Sequence, residues 1–185
     1  MAAQRVTRAR WLAVVALAAL ALAWFALHWV RSREALAPRV QADSTAAGVR
    51  SVRLYFAAPT GDSLVVEPRE VVEAATLHER VAGLVAELDR GPRGGGVAAL
   101  PAGTAALHVF LDDQGLMTLD LSRAFQRGFR GGSGGEYLAI ASLVRTLSTN
   151  VPEVKRILIV CGGHPIATLG GHLPLDQPLD VNDWP

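Results

Sequence analysis

A run of twenty residues without a charged side chain, Trp11 to Val30, divides the chain into two unequal parts. At roughly 1.5 Å per residue, a helix of this length reaches about 30 Å, the thickness of a bilayer's hydrocarbon core. Trp11, Trp24 and Trp29 lie near its ends or in its last third, where interfacial tryptophans are common. We therefore predict a transmembrane helix over 11–30, which leaves only the rest of the chain to build a folded domain.

A cleaved signal peptide is the alternative for this segment, with Arg5, Arg8 and Arg10 as its basic region. However, the apolar run exceeds a usual signal-peptide core, arginines follow it closely, and the small-residue site Ala35-Leu-Ala37 precedes a proline. These features favour an uncleaved anchor. Because positive charge is slightly greater before the run than after it, the positive-inside rule places residues 1–10 in the cytoplasm and the domain outside it.

Residues 31–50 are rich in alanine and polar side chains and show little periodicity, which is typical of a flexible tether. Residues 51–181 are enough for one hydrophobic core, so we expect a single domain. From Ser51 onward, eleven Lys and Arg stand against fifteen Asp and Glu, a balance of −4. A nucleic-acid-binding domain carries a concentrated basic face, so this balance argues against nucleic acid as a partner.

Five segments of the domain have the alternating or continuous apolar character of β-strands: Val52–Ala57, Leu64–Val72, Leu107–Leu111, Met117–Leu121 and Ile157–Cys161. Pro68 interrupts the second segment and predicts that it lies at a sheet edge, either as a docking surface or as a guard against pairing. Asp112 to Gly115 separates the third and fourth segments, which therefore form a hairpin.

Two further segments have helical periodicity. Thr76–Asp89 opens with the capping-box pair Thr76 and Glu79, and its apolar stripe includes Leu84 but not Glu87. The second helix begins near Ser133, where Glu136 repeats that spacing, and ends near Asn150. Together these elements predict an α+β domain in which two helices pack on one face of a four- to five-stranded mixed sheet, preceded by one transmembrane helix.

A series of short phrases in this domain resembles one known family. In chain order they are Val52-Arg-Leu-Tyr-Phe56, Leu88-Asp-Arg-Gly-Pro92, Leu100-Pro-Ala-Gly-Thr104, Val109 to Leu121, Gly134-Gly-Glu136, Arg145-Thr-Leu147, Val154 to Val160 and Gly171-His-Leu173. Their order and spacing resemble the GerMN domain of bacterial germination and sporulation proteins. The resemblance implies a similar α+β layout and a non-enzymatic binding or assembly module of the cell envelope. Many relatives are lipoproteins, and here the transmembrane helix would replace the lipid.

The glycine-rich segment before the second helix is a candidate ligand site. Free backbone N–H groups at a helix start bind anions, and Arg123, Arg127 and Arg130 lie just upstream of Ser133. These four residues are our candidates for an anionic wall or small-molecule ligand, although the segment has neither a Walker nor a dinucleotide pattern. The alternative is a flexible loop before a capped helix. The resemblance favours that alternative, because a Gly-Glu pair opens this helix in the family.

No catalytic, cofactor or metal site is expected. Cys161 and His164 have the residue types of a nucleophile and its base, but no third group orients them and no positive charge adjoins the thiol. His164, His172 and Asp176 are conceivable metal ligands, yet they lie in a Gly- and Pro-rich segment where surface polar residues are common. A single cysteine also excludes an internal disulfide.

The leading hypothesis is a membrane-anchored, extracytoplasmic module that binds envelope proteins or associates with itself, within germination- or sporulation-type machinery. The second hypothesis is a binding domain for an anionic ligand over Arg123 to Glu136. A hydrolase that uses Cys161 is a distant third.

Overall fold

The computed structural model describes residues 48–185, so the predicted transmembrane helix and most of the predicted tether lie outside the described residues. The elements are β1 (Val49–Ala57), β2 (Leu64–Val72), α1 (Leu77–Asp89), β3 (Ala106–Leu111), β4 (Leu116–Leu121), α2 (Arg123–Gly128), α3 (Ser133–Asn150), β5 (Arg156–Cys161), β6 (His164–Pro165), β7 (Leu179–Asp180) and a terminal 3₁₀ turn, Val181–Asp183. None of the helices in this part of the chain is both long and apolar enough to span a bilayer.

The strands form two separate sheets. β1 and β2 make a two-stranded antiparallel hairpin, and a five-stranded mixed sheet has the order β3-β4-β5-β6, with β7 also paired to β5. β3 and β4 are antiparallel, whereas β4 and β5 are parallel. The predicted α+β class and mixed sheet of about five strands are confirmed. The first two predicted strands, however, lie outside that sheet.

Helix α1 begins as its sequence predicts. Thr76 caps it: the backbone N–H of Glu79 donates to Thr76 Oγ1 over 3.2 Å, and the Glu79 side chain accepts from the Thr76 N–H over 3.1 Å. Leu84 is buried, as expected from the apolar stripe. Glu87 lies off that stripe but is buried as well, because Arg69 of β2 turns inward and donates to its carboxylate over 2.8 Å.

Helix α2 was not predicted from the sequence. It has six residues, fewer than two turns, so its single buried anchor, Phe125, produces no detectable periodicity. Residues 48–185 therefore contain three α-helices rather than the two predicted for the domain. α2 follows β4 directly and carries Arg123 and Arg127 to the surface.

Three buried polar side chains of α3 hydrogen-bond to the backbone at the outer edge of β1. Asn150 accepts from the N–H of Arg53 over 3.1 Å and donates to its carbonyl over 2.7 Å. Thr146 accepts from the N–H of Tyr55 over 3.1 Å, and the Ser142 hydroxyl donates to the Tyr55 carbonyl over 2.5 Å. The backbone groups that a neighbouring strand would pair are therefore occupied by a helix, which explains why the hairpin does not join the larger sheet.

One hydrophobic core joins both sheets to α1 and α3. Its members include Leu54 and Phe56 of β1, Val85 of α1, Leu143 of α3 and Ile159 of β5. The side chains of β4 and β5 that face it, such as Leu119, are fully or almost fully buried. These side chains form one contiguous core within residues 48–185.

Candidate functional site

The family phrase at the start of α3 and the phrase near residue 172 meet at one buried carboxylate. Glu136 Oε1 accepts from the backbone N–H groups of Leu169 over 2.9 Å and Gly170 over 2.8 Å. Its Oε2 accepts from the backbone N–H of His172 over 2.9 Å and lies 3.1 Å from the His172 Nδ1. Glu136 thus attaches the segment after β6 to the first turn of α3.

This environment keeps Glu136 ionised. Burial alone would raise the pKa of its carboxyl, but the backbone donors of Gly170, His172 and Leu169 outweigh burial and hold the pKa below its ordinary value. The predicted capping box of Ser133 and Glu136 is wrong: Gly132 is the N-cap residue and no side chain caps the helix. The Glu136 carboxylate is occupied by a distant loop, so it is not available to its own helix start.

A second pair of family phrases meets in the same manner. Asp89, the last residue of α1, accepts from the backbone N–H of Gly103 over 2.8 Å and of Thr104 over 3.0 Å. The Thr104 hydroxyl donates to the carbonyl of Pro101 and closes that turn. The polar residues that make these phrases recognisable therefore hold loops onto helices.

The four predicted ligand residues do not form one site. Arg123 and Arg127 line a common depression, whereas Arg130 lies on a different groove and donates to the carbonyls of Arg127 and Phe129 over 2.6 Å and 2.7 Å. Ser133 is the exposed first residue of α3 and lines neither surface. Whether Arg123 and Arg127 bind a ligand stays a prediction.

The depression that contains Arg123 and Arg127 is open and mostly polar. It encloses about 340 Å³ and is lined by Arg123, Gln126, Arg127, Cys161, His164, Pro165, Ile166 and Ala167. The two arginines stand one helical turn apart on α2, and no Asp or Glu lines the depression. Its geometry suits an anionic group at the surface.

Cys161 and His164 are brought side by side across the β5–β6 pairing, but they are not arranged as a nucleophile and base. The His164 Nδ1 lies 2.8 Å from the carbonyl of Gly162. Burial, reinforced by the negative charge of Asp120, raises the pKa of the Cys161 thiol to about 11. At neutral pH the thiol is protonated and is a poor nucleophile.

The conceivable metal ligands are also dispersed. His172 contacts the Glu136 carboxylate, and His164 contacts its own turn. Throughout residues 48–185, no group of three or more His, Cys, Asp or Glu side chains is placed to share a metal ion.

A second, more apolar groove lies beside the end of β1. It encloses about 370 Å³ and is lined mainly by small or apolar residues, among them Ala57, Pro59, Val97, Leu100, Phe129 and Leu138. Arg130 is the only charged residue among those that line it.

The structure also reveals polar residues that sequence reasoning missed. Ser142, Thr146 and Asn150 are buried on α3 and bind the β1 edge, yet none of them belongs to a predicted site. Their signal is a spacing of four residues, which places three short polar side chains on one face of a helix. Such a stripe inside an otherwise apolar helix indicates a buried polar partner.

Comparison with known proteins defines the class of this chain. The model of the Germane family, described as "Sporulation and spore germination", matches residues 53–167. The chain therefore belongs to this GerM-like family of germination and sporulation proteins, as the short phrases indicated. No curated protein shows a significant match to the chain.

Solved structures agree on the fold. A putative lipoprotein from Clostridium perfringens is 21% identical, with a TM-score of 0.52, and the match covers 74% of this chain and 90% of that one. The tandem GerMN domains of the sporulation protein GerM from Bacillus subtilis are 18% identical, with a TM-score of 0.59, over 74% of this chain and 48% of that one. The first GerMN domain of the same protein is 18% identical, with a TM-score of 0.53, over 71% of this chain and 97% of that one.

Proposed function

We propose that this protein is a membrane-anchored, extracytoplasmic module that binds protein in the bacterial envelope, within sporulation- or germination-type machinery. The segment Trp11–Val30 supports the anchor, because its length and apolar character fit one bilayer span. Family membership supports the process, and the similarity to a putative lipoprotein is consistent with an envelope location.

The observation that carries the binding role is an edge strand, β3, which pairs with β4 on one side only and has exposed apolar side chains. Phe110 on β3 is 66% exposed and Leu107 is 40% exposed, although β3 is an edge of the five-stranded sheet. The charged side chains at the meeting points of the family phrases, Glu136 and Asp89, are by contrast occupied by backbone amides. Binding through backbone and apolar groups suits a protein partner better than a small polar substrate.

Fractionation and protease access test the anchor and the location together. The full-length chain is expected to stay in membranes after an alkaline carbonate wash and to be digested by protease added outside intact spheroplasts. A variant with Leu17→Arg and Leu20→Arg is the matched control and should be released, because charged residues at the centre of a span are costly. A wild-type chain that is washed off, or one protected from external protease, would overturn this proposal.

The second candidate function is the binding of an anionic ligand in the depression of Arg123 and Arg127. It is favoured by two arginines on one face of α2 without an acidic residue in the lining. Inorganic phosphate should raise the melting temperature of the wild-type chain but not that of Arg123→Gln/Arg127→Gln. Lys155→Gln, an exposed change of the same charge type, should retain the wild-type response. Equal responses in all three proteins would eliminate this candidate.

A further inference from the structure

The outer edge of β3 presents backbone groups that point away from the sheet. β3 pairs with β4, and the N–H of Asp112 donates to the carbonyl of Leu116 over 3.1 Å. Because hydrogen-bonded pairs alternate in an antiparallel ladder, His108 and Phe110 bond toward β4, whereas Val109 and Leu111 direct their N–H and C=O groups outward. No strand of residues 48–185 pairs with that outward side.

The sequence of this edge strand lacks the residues that normally prevent strand addition, although helix α1 packs against β3. β2, the other outward-facing edge, carries Pro68 at an outward position and is flanked there by Glu67, Arg69 and Glu70. β3, with the sequence Ala106–Leu111, contains no proline, lysine, arginine or carboxylate. Edge strands are usually blunted by charge, proline or cover, so an unguarded edge with an exposed phenylalanine indicates an interface.

We propose that β3 pairs antiparallel with β3 of a second copy of this chain, about a two-fold axis at Phe110. This inference rests on the proposed protein-binding function and names its partner. In this register the outward groups of Val109 hydrogen-bond to those of Leu111 in the second copy, and the reverse. The two Phe110 rings lie side by side at the axis, which is the favourable cross-strand contact of two aromatic residues.

Charge complementarity favours a second copy in this register. His108 and Phe110 lie on one face of the ladder, and in this register His108 lies opposite Asp112, the first turn residue after β3, of the second copy on both sides of the axis. The Asp112 Oδ1 accepts from the backbone N–H groups of Gln114 and Leu116, and Oδ2 is the remaining oxygen for the imidazole of the second copy. The imidazole of His108 is exposed, and its Nδ1 lies 3.1 Å from Asp120 of the same chain. Moving the two-fold axis by one residue, to Val109, would place His108 opposite Phe110 and lose both the aromatic pair and the Asp112 neighbour.

The size of the contact limits its strength. In this register the two β3 strands overlap only over residues 109–111, so the interface is well below the roughly 1,200–2,000 Å² of a stable complex. The dimer is therefore weak for dilute protein and is favoured when two chains share a membrane, because anchoring raises their effective concentration.

Disulfide formation tests both the partner and the register. In a non-hydrogen-bonded antiparallel pair the two Cα atoms are about 4.5 Å apart, within the range that a disulfide spans. The full-length chain with Cys161→Ala and Phe110→Cys, reconstituted in liposomes and oxidised mildly, should form a covalent dimer at least tenfold faster than two controls. The controls carry Val66→Cys on the guarded β2 edge, or His108→Cys, which in this register does not face its own copy.

Equal cross-linking at positions 66, 108 and 110 would overturn the proposal, as would the absence of a covalent dimer. Faster linkage at position 108 than at 110 would overturn the register and with it the charge argument. Thermal melting of each variant verifies that it is folded, which is expected because all three positions are more than half exposed. A chain that remains in washed membranes but yields no dimer overturns this inference alone, whereas a chain that is washed off overturns the proposed function.

Discussion

β1 and β3 each have an outer edge that no neighbouring strand of the described chain fully pairs. The two edges differ in the groups that contact their backbone. The β1 edge is occupied by Ser142, Thr146 and Asn150 of α3, and by Val97, which exchanges two backbone hydrogen bonds with Ala57. Helix α1 packs against β3, but no side chain of residues 48–185 hydrogen-bonds to the β3 backbone, and the strand carries exposed apolar side chains.

The difference shows where this fold uses its polar residues. Side chains with hydrogen-bonding capacity are buried where they satisfy backbone groups of loops and of the β1 edge. The proposed binding at the β3 edge involves backbone groups and Phe110, and these do not form a recognisable sequence motif. Family phrases therefore identify the fold, while the surface available for a partner is visible only in three dimensions.

The largest loss of stability is expected at Glu136, because its carboxylate attaches α3 to the segment after β6. Glu136→Gln should lower the free energy of unfolding at neutral pH by about 2–3 kcal/mol, since buried backbone donors lose their charged acceptor. The folded-state pKa of Glu136 is lowered, so its stabilisation is present above the ordinary glutamate pKa of about 4.3 and is lost as pH falls through the folded-state pKa.

Chemical denaturation across pH measures this effect. The difference between wild type and Glu136→Gln should shrink as pH falls below about 4. The exposed Glu153→Gln is the matched control and should change stability little at any pH. A difference that grows on acidification would mean that the carboxylate is not stabilised by those amides.

The stability of the domain should also depend on Asn150, which binds the outer edge of β1. Asn150→Ala leaves the N–H and C=O of Arg53 without their side-chain partner, at a cost of about 2 kcal/mol. Ser148→Ala on the same helix is the control, because that hydroxyl only reaches the carbonyl of Arg145 over 3.4 Å. Equal stability of the two variants by denaturant titration would show that water replaces Asn150 at this edge.

A smaller effect is expected at Cys161, on the buried face of the sheet that carries the open edge. Cys161→Ala should cost about 1 kcal/mol, as a modest core truncation, and should preserve cross-linking and membrane attachment. Because the thiol pKa is raised to about 11, iodoacetamide should label native Cys161 far more slowly at pH 7 than unfolded protein. Fast labelling of the native chain would reopen the enzyme hypothesis.

The smallest effect on stability is expected at Phe110, on the outer edge of β3. Phe110→Lys should change the free energy of unfolding by less than about 0.5 kcal/mol, because the ring is mostly exposed, while it introduces the type of charge that guards edge strands. Sedimentation of the chain in micelles at high concentration should show dimer for wild type and for Val66→Lys, but monomer for Phe110→Lys. A large loss of stability would place the ring in the core instead.

The sequence predicted those elements whose pattern is local. α1 has a capping box and a complete apolar stripe. The β3–β4 hairpin has the turn Asp112-Asp-Gln-Gly115, in which Asp112 accepts from the N–H groups of Gln114 and Leu116 over 2.9 Å and 2.8 Å. β5 was evident as a continuous apolar run. Periodicity and turn chemistry are properties of neighbouring residues, so one sequence is enough to read them.

What was missed depends on contacts between distant residues. Glu136 was interpreted as a cap because its spacing from Ser133 fits, but the amides that bind it lie more than thirty positions later. The burial of Glu87 was not predicted, because the sequence does not show that Arg69 points inward. The separation of the two sheets and the placement of Arg130 away from Arg123 likewise follow from tertiary packing.

Amide hydrogen exchange at the two edges tests the central contrast most directly. At low protein concentration, the amides of Arg53 and Tyr55 should be protected, whereas those of Val109 and Leu111 should exchange rapidly because they point outward. Raising the concentration, or reconstituting the chain in liposomes, should protect Val109 and Leu111 and leave Arg53 and Tyr55 unchanged. Protection of Val109 and Leu111 in the dilute monomer, or rapid exchange of all four amides under every condition, would contradict the account.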